Sequence, residues 1–372
     1  MRKFAPWAFG VLALLAQGAY AEDGITKDTI LIGRSAGMTG PNVARAKPAT
    51  EAVNAYIDAV NQAGGVNGRR IKLITLDDAT EIQRSVANTR RLIAQDKVFT
   101  MFLSAAGPAT LATLPVLAEF QVPLVGSTSG SETLRKPNRL MFHTKASYTQ
   151  EFDKIAEFIK GAGMQRVAVV YGNDGSGREA EQLALAALKK AGLQVVADIG
   201  FKPGEVKQAI DQLVKADAQA VVLGAVAGPS AEFFRDFVKL QNRPQVFAWS
   251  VTGVEAIYKE VGDKVRGLVV AQISASPADR SIAMVRDYHA MLKKAGLEDG
   301  GYPGLEGYIA ARVLVEGLRR AGREPTRDKL IVALESMHDF DLGDDVVNFG
   351  PDHIGRRFVE LTVVGRDGRL MR

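Results

Sequence analysis

Along most of this chain, short β-branched runs alternate with amphipathic stretches. Such alternation reads as repeated βα units, a mostly parallel sheet with helices packed against it. The runs at 29–36, 70–76, 99–103, 123–126 and 140–143 form one series of predicted strands. A second series covers 166–171, 194–199, 220–223, 245–249 and 268–272. Helices fit between them. Val206, Ala209, Ile210, Leu213 and Val214 recur at i, i+3, i+4, i+7 and i+8, the stripe of a helix with one buried face. Thr326, after Pro325 and before Asp328, is placed to cap a helix running through Met337.

Two series of βα units predict two α/β lobes, each doubly wound. The second series begins after Thr144-Lys145-Ala146-Ser147, which is read as a first crossing between lobes. It ends at Ser274-Ala275-Ser276-Pro277, a small-residue stretch suited to a second. Two long helices follow at 281–294 and 302–321 with no third sheet, so they most simply return to cover the first lobe. The tail from Phe358 alternates and turns at Arg366-Asp367-Gly368, which reads as a hairpin. The expected division is 22–145 plus 277–347 for lobe 1, and 146–276 plus 348–372 for lobe 2.

The N-terminus has its own pattern. Arg2 and Lys3 precede an apolar stretch at 8–16, and Ala19-Tyr20-Ala21 supplies the small-x-small site that signal peptidase accepts. The apolar core is well short of the ~20 residues needed to span a bilayer, and no stop-transfer segment follows. Residues 1–21 are therefore expected to be a signal peptide, cut before Glu22, leaving a soluble exported chain.

Composition narrows the function classes. Cleavage leaves about 350 residues, comfortable for two domains. Hydrophobic and charged fractions of 47% and 24% are ordinary for a globular protein. The formal charge of +5 includes Arg2 and Lys3, and the other arginine pairs are dispersed among acids and apolar residues. Without a basic stripe carrying interleaved aromatics, nucleic acid is not an expected partner. There is no cysteine, which removes thiol catalysis and cysteine metal sites. His143, His289, His338 and His353 have no i,i+3 or i,i+4 pairing, so no metal or other cofactor is expected.

Enzyme motifs are weak. The turn Tyr171-Gly172-Asn173-Asp174-Gly175-Ser176-Gly177 spaces its glycines GxxGxG, not GxGxxG, and no P-loop lysine follows. There is no GxSxG elbow, and Asp77-Asp78 reads as a solvated strand end. Small hydroxyl residues and glycines instead gather at strand ends. The run 99–103 enters Ser104-Ala105-Ala106-Gly107, and the run 123–126 enters Ser127-Thr128-Ser129-Gly130-Ser131. Open α/β sheets bind ligands in the crevice at the carboxyl ends of their strands, where helix N-termini favour an anion. Taken singly, each such residue is equally a helix cap or turn former.

Several segments together carry a resemblance: Gly37-Met38-Thr39-Gly40-Pro41, Asn61-Gln62-Ala63-Gly64-Gly65-Val66-Asn67-Gly68-Arg69, Asp77-Asp78, the stretches 122–135 and 305–318, the glycine turn, and 357–369. The mature chain resembles, in order and nearly throughout, the type I periplasmic solute-binding proteins of ABC importers, in the leucine/isoleucine/valine-binding branch. The resemblance implies two lobes joined by three crossovers that close over a small ligand. It implies a periplasmic receptor that binds an amino acid, amide or small carboxylate and meets an ABC permease in the inner membrane, with no covalent chemistry. A ligand sensor feeding a signalling partner, or an exported enzyme on the same fold, is the alternative.

By the same resemblance, the ligand site includes Ser104, Ala105, Ala106, Ser127, Thr128 and Ser129 in the first lobe. Ser176 and Thr252 complete it in the second. Thr252 stands where α-amino-acid binders commonly carry an acid for the ligand's ammonium. Gly130 stands where many have a threonine, and the 225–229 loop is small where relatives often have tyrosines. The expected pocket is therefore roomier and suited to a ligand without an amine, since a buried ammonium needs a partner.

Overall fold

The computed structural model describes residues 22–371 apart from Ala105 and Asp344. Residues 1–21, expected from the sequence to be a signal peptide, lie outside the described residues.

Ten strands arise close to where the β-branched runs fall: β1 (Thr29–Ala36), β2 (Arg70–Asp77), β3 (Thr100–Ser104), β4 (Leu124–Ser127), β5 (Met141–Phe142), β6 (Arg166–Gly172), β7 (Gln194–Phe201), β8 (Ala220–Gly224), β9 (Gln245–Ala248) and β10 (Val269–Gln272). The first five form a parallel sheet in the order β2-β1-β3-β4-β5. A short ribbon, β11 (Phe340–Asp341) with β12 (Val346–Val347), precedes the tail hairpin of β13 (Glu360–Val364) and β14 (Leu370–Met371). The hairpin joins the second sheet by pairing antiparallel with β10, giving the order β14-β13-β10-β9-β8-β6-β7.

Helices cover both faces of each sheet, so the central strands read as nearly continuous apolar runs. In β6, Val167 and Val169 enter one core with Trp249 and Phe152, while Ala168 and Val170 enter the other with Phe233 and Val246. That is the period-two alternation of a strand buried on both sides. The helices Ala283–Ala295, Gly301–Arg320 and Arg327–Glu335 return to the first sheet, where Tyr288, Leu314 and Leu330 share a core with Phe99, Phe102 and Phe142. Each such fully buried side chain contributes about 1.5–3 kcal/mol of transfer free energy. Thr326 caps the last of these helices, its side chain accepting from the Lys329 amide.

Three segments run between the sheets: 143–147, 273–282 and 348–359. The first and third lie side by side, with the His143 amide donating to the His353 carbonyl and the Gly355 amide to the His143 carbonyl. Among the described residues, no helix is long and apolar enough to cross a membrane.

Candidate functional site

Strands β3 and β4 are parallel neighbours, with Ser104 opposite Ser127 at their carboxyl ends. Their two loops are tied together by Thr128. Its amide donates to the Ser104 carbonyl at 2.9 Å, and its Oγ1 accepts from the Ala106 amide at 3.3 Å. Ser104 Oγ accepts from Thr110 Oγ1 at 2.9 Å. Ser104, Ala106 and Thr128 thus converge on one half-buried patch; Ala105 lies outside the described residues.

The first loop is held in a strained shape. Leu103 and Ala106 have φ of 45° and 55°, the left-handed region that side chains with a Cβ disfavour. Buried Arg34 on β1 donates from Nε to the Leu103 carbonyl at 3.0 Å and from Nη1 to Thr50 Oγ1. Burial pushes its pKa down to about 10 against the pull of Asp78.

Ser127 and Ser129 are buried and serve the turn itself. Ser127 Oγ accepts from the Ser129 amide and Ser129 Oγ from the Ser131 amide, each two residues on. Ser176 is exposed in the first turn of the helix Gly175–Ala191, which Asp174 caps. Thr252 is fully buried, and its hydroxyl lies 2.9 Å from Ser230 Oγ, which also donates to the Ala225 carbonyl. Among the described residues, neither the Ser176 nor the Thr252 hydroxyl is bonded to the first-lobe patch.

Of the small positions expected to widen the pocket, Gly130 is filled, whereas a Cβ on Gly228 in the 225–229 loop would meet nothing within 4 Å. A Cβ on Gly130 would lie 2.7 Å from the Tyr148 ring, so that ring occupies the space a threonine would take. A Cβ on Gly253 would lie 2.4 Å from the Ala227 Cβ, so the small residues let two second-lobe loops touch.

Sequence reasoning placed the first crossing at Thr144–Ser147 but assigned none of its residues to the site. Lys145 is buried and donates from Nζ to the Thr128 carbonyl at 3.0 Å, with Glu306 Oε2 at 3.4 Å. Glu306 also receives Arg45 Nη2 at 3.1 Å. Ser147 and Gln150 form a capping box, and Tyr148 meets Trp249 edge-on at 4.7 Å. Glu151 is fully buried and accepts from the Ser250 amide at 2.7 Å and from Ser250 Oγ at 2.9 Å. One short segment therefore grips the Thr128 loop at one end and the Ser250 loop at the other. The S-x-x-Q pattern of Ser147 to Gln150, just ahead of an amphipathic helical stretch, was the available signal.

Charges in this cluster are strongly perturbed. Burial pushes the Glu151 carboxyl up to about 7, against Lys145 and the two Ser250 bonds. Glu306 is held below its ordinary value because Lys145 and Arg45 outweigh its burial. Burial lowers Lys145 despite Glu306. For Arg45, burial is outweighed by Glu306, Tyr148 and Glu255, leaving it above the ordinary arginine value. Farther along, Glu179 on the helix Gly175–Ala191 accepts from Ser131 Oγ at 2.6 Å and from the Glu132 amide at 3.0 Å, a direct contact between lobes.

Two surface hollows lie at the opposite edge of the first sheet. One is beside Asn67, Arg69 and Glu324 and the other beside Thr29, Asn61 and Arg70, so neither belongs to the strand carboxyl ends.

A sequence profile described as periplasmic binding protein matches residues 29–369. The chain belongs to the periplasmic binding protein family. It is thereby grouped with binding proteins of the periplasm and not with enzymes. The Leu/Ile/Val-binding protein homolog 3 of Brucella melitensis is 24% identical, over 89% of this chain and 87% of that protein. A substrate-binding periplasmic protein from Ralstonia solanacearum is 30% identical, covering 92% of this chain and 99% of that one, with a TM-score of 0.82. A branched-chain amino acid ABC transporter protein from Thermus thermophilus, solved with bound valine, has the same fold: TM-score 0.82 and 21% identity over 93% and 96% of the two chains.

Proposed function

We propose that this periplasmic binding protein is the exported receptor of an ABC importer, capturing a small carboxylate-bearing solute between its lobes and presenting the closed form to a permease. The observation that carries this reading is the junction at Thr128. Two neighbouring strand ends converge there on a patch of small polar groups, and buried Lys145 places a cation behind the Thr128 carbonyl. An anionic group suits such a place in an open α/β crevice. Relatives that bind Leu/Ile/Val, and one solved with valine, carry a carboxylate-bearing ligand.

In this reading lobe 1 comprises 22–145 and 277–347, lobe 2 comprises 146–276 and 348–372, and the leader ends at Ala21. Ser104, Ala105, Ala106 and Thr128 contact the ligand's anion, with Ser127 and Ser129 shaping the turn beneath. Ser176 and Thr252 border the ligand from the second lobe. The ligand has no need of an α-ammonium: the residue standing where an acid would pair with it is Thr252, a neutral hydroxyl paired with Ser230.

Binding without turnover is the mechanism, a shift of population toward the closed form. A thermal-shift panel tests it, because a ligand at a hundredfold excess over Kd stabilises the folded state by about 2.7 kcal/mol. Aliphatic or aromatic acids should raise the melting temperature at least as far as leucine, isoleucine or valine do, and mass spectrometry should recover them unchanged. A response to branched-chain amino acids alone would defeat the ligand reading, and a changed ligand would defeat the receptor reading.

A further inference from the structure

Arg135 holds the first crossing to the first lobe. Its Nη2 donates to the Lys145 and Ala146 carbonyls, each at 3.1 Å, and its Nε to the Gly130 carbonyl at 3.4 Å. The capping box of Ser147 and Gln150 starts the second-lobe helix Tyr148–Gly161 one residue later. The pivot of this crossing therefore falls at Ala146-Ser147. Bonds beside it survive a rotation of the lobes: the Tyr148 amide to the Gly130 carbonyl at 2.9 Å, and the Thr149 amide to Glu132 Oε1 at 3.2 Å.

Glu179 lies farther out. The helix Gly175–Ala191 that carries it packs beside the helix Tyr148–Gly161, and packed helices stand about 8–10 Å apart. Its Oε1 nevertheless accepts from buried Ser131 Oγ at 2.6 Å and from the Glu132 amide at 3.0 Å. Ser131 is two residues beyond Ser129 and Glu179 three beyond Ser176, so this contact bridges the lobes beside the proposed ligand loops. One helix spacing from the pivot, a lobe rotation of about 15° carries the carboxylate roughly 2 Å, enough to break a hydrogen bond.

We infer that Glu179 is a latch: a positioning residue that joins the lobes in the closed form alone and so sets how long a solute stays enclosed. This rests on the receptor reading above and names the residue that holds the closed form. Ser131 Oγ accepts from the Thr133 amide at 3.4 Å, which leaves its own proton for Glu179. In the open form water satisfies the carboxylate, the hydroxyl and the Glu132 amide, so releasing the latch leaves no polar group unpaired.

The test places spin labels on Val214→Cys and Val332→Cys in the mature protein, exposed sites on the second and first lobes of a chain with no other cysteine. Distance distributions give the closed-to-open ratio without added solute and with benzoate, hexanoate or leucine. Glu179→Ala should lower that ratio about tenfold, the loss expected for hydrogen bonds to a charged group. Glu179→Gln should recover part of it, because an amide oxygen still accepts from Ser131 and Glu132. Ser131→Ala should lower the ratio from the opposite side, and it decides if Glu179→Ala does not fold. An unchanged ratio, even with a lower urea midpoint, overturns the latch and makes Glu179 a fixed strut. A wild-type protein with no closed population under any of these conditions overturns it too. The ratio without solute tests the latch by itself, whereas closure on adding a solute tests the receptor reading, so either can fail alone.

Discussion

The Lys145 ammonium bonds the Thr128 carbonyl at 3.0 Å, which places the first crossing segment directly beneath the loop that ends β4. Six residues on, Glu151 holds both the amide and hydroxyl of Ser250. The segment that joins the lobes is thus also the support of a loop in each. Any change in its geometry is felt at both sides of the cleft.

Removing the buried ammonium should therefore cost both stability and binding. Lys145→Met leaves Glu306 with Arg45 as its one remaining cation and frees the Thr128 carbonyl. Breaking a buried pair from one side costs about 3 kcal/mol, and the surviving Arg45 contact keeps the loss near that figure. Urea unfolding should show the lower midpoint. An unchanged midpoint would mean the Lys145 charge is already compensated elsewhere.

Thr128→Ala and Ser104→Ala should each weaken ligand binding by about 1–3 kcal/mol if the hydroxyl bonds the ligand's charge. The loss should be partial, because backbone donors survive. Thr128→Ala also removes the acceptor of the Ala106 amide, so it should be the more damaging of the two. Unchanged affinity in both variants would reduce these hydroxyls to turn formers.

Glu151 predicts a pH dependence of stability. Its folded pKa is raised, from 4.5 to about 7, so its contribution is fully present below 4.5 and is lost as pH rises through 7. Stability should decline across that window by up to about 3 kcal/mol. Glu306, whose folded pKa is lowered, acts at the acid end: its stabilisation is lost as pH falls below the usual carboxylate range. Glu151→Gln should flatten the decline between about pH 5 and 7, read from denaturation midpoints. A variant with the wild-type slope would remove Glu151 as its source.

The leader should be absent from exported protein. N-terminal sequencing should begin at or near Glu22, given the basic, apolar and small-residue pattern that ends at Ala21. A membrane-held form that keeps Met1 would contradict it.

Much of the scaffold was legible in the chain. Periodicity places β1 at 29–36 as observed, and β3 begins one residue later than the apolar run at 99–103. The tail hairpin and the Thr326 cap follow from local chemistry, which acts over a few residues. The crossing cluster was not legible for a physical reason. Arg45 and Lys145 meet Glu306 across 261 and 161 residues, and ion pairs carry no sequence period. The serines at 127 and 129 show the opposite ambiguity, since the same hydroxyl can bond a ligand or its own turn. Gly130 suggested space where the fold instead packs Tyr148, a contact set by the capping box that starts the next helix.

A crystal structure of the mature protein with its tightest-binding carboxylate tests the central claim most directly. The account predicts a carboxylate oxygen within hydrogen-bond distance of Thr128 Oγ1 and Ser104 Oγ, enclosed between the two lobes. A ligand whose carboxylate sits elsewhere, with the Thr128 and Ser104 hydroxyls still paired only to their own loops, would contradict it.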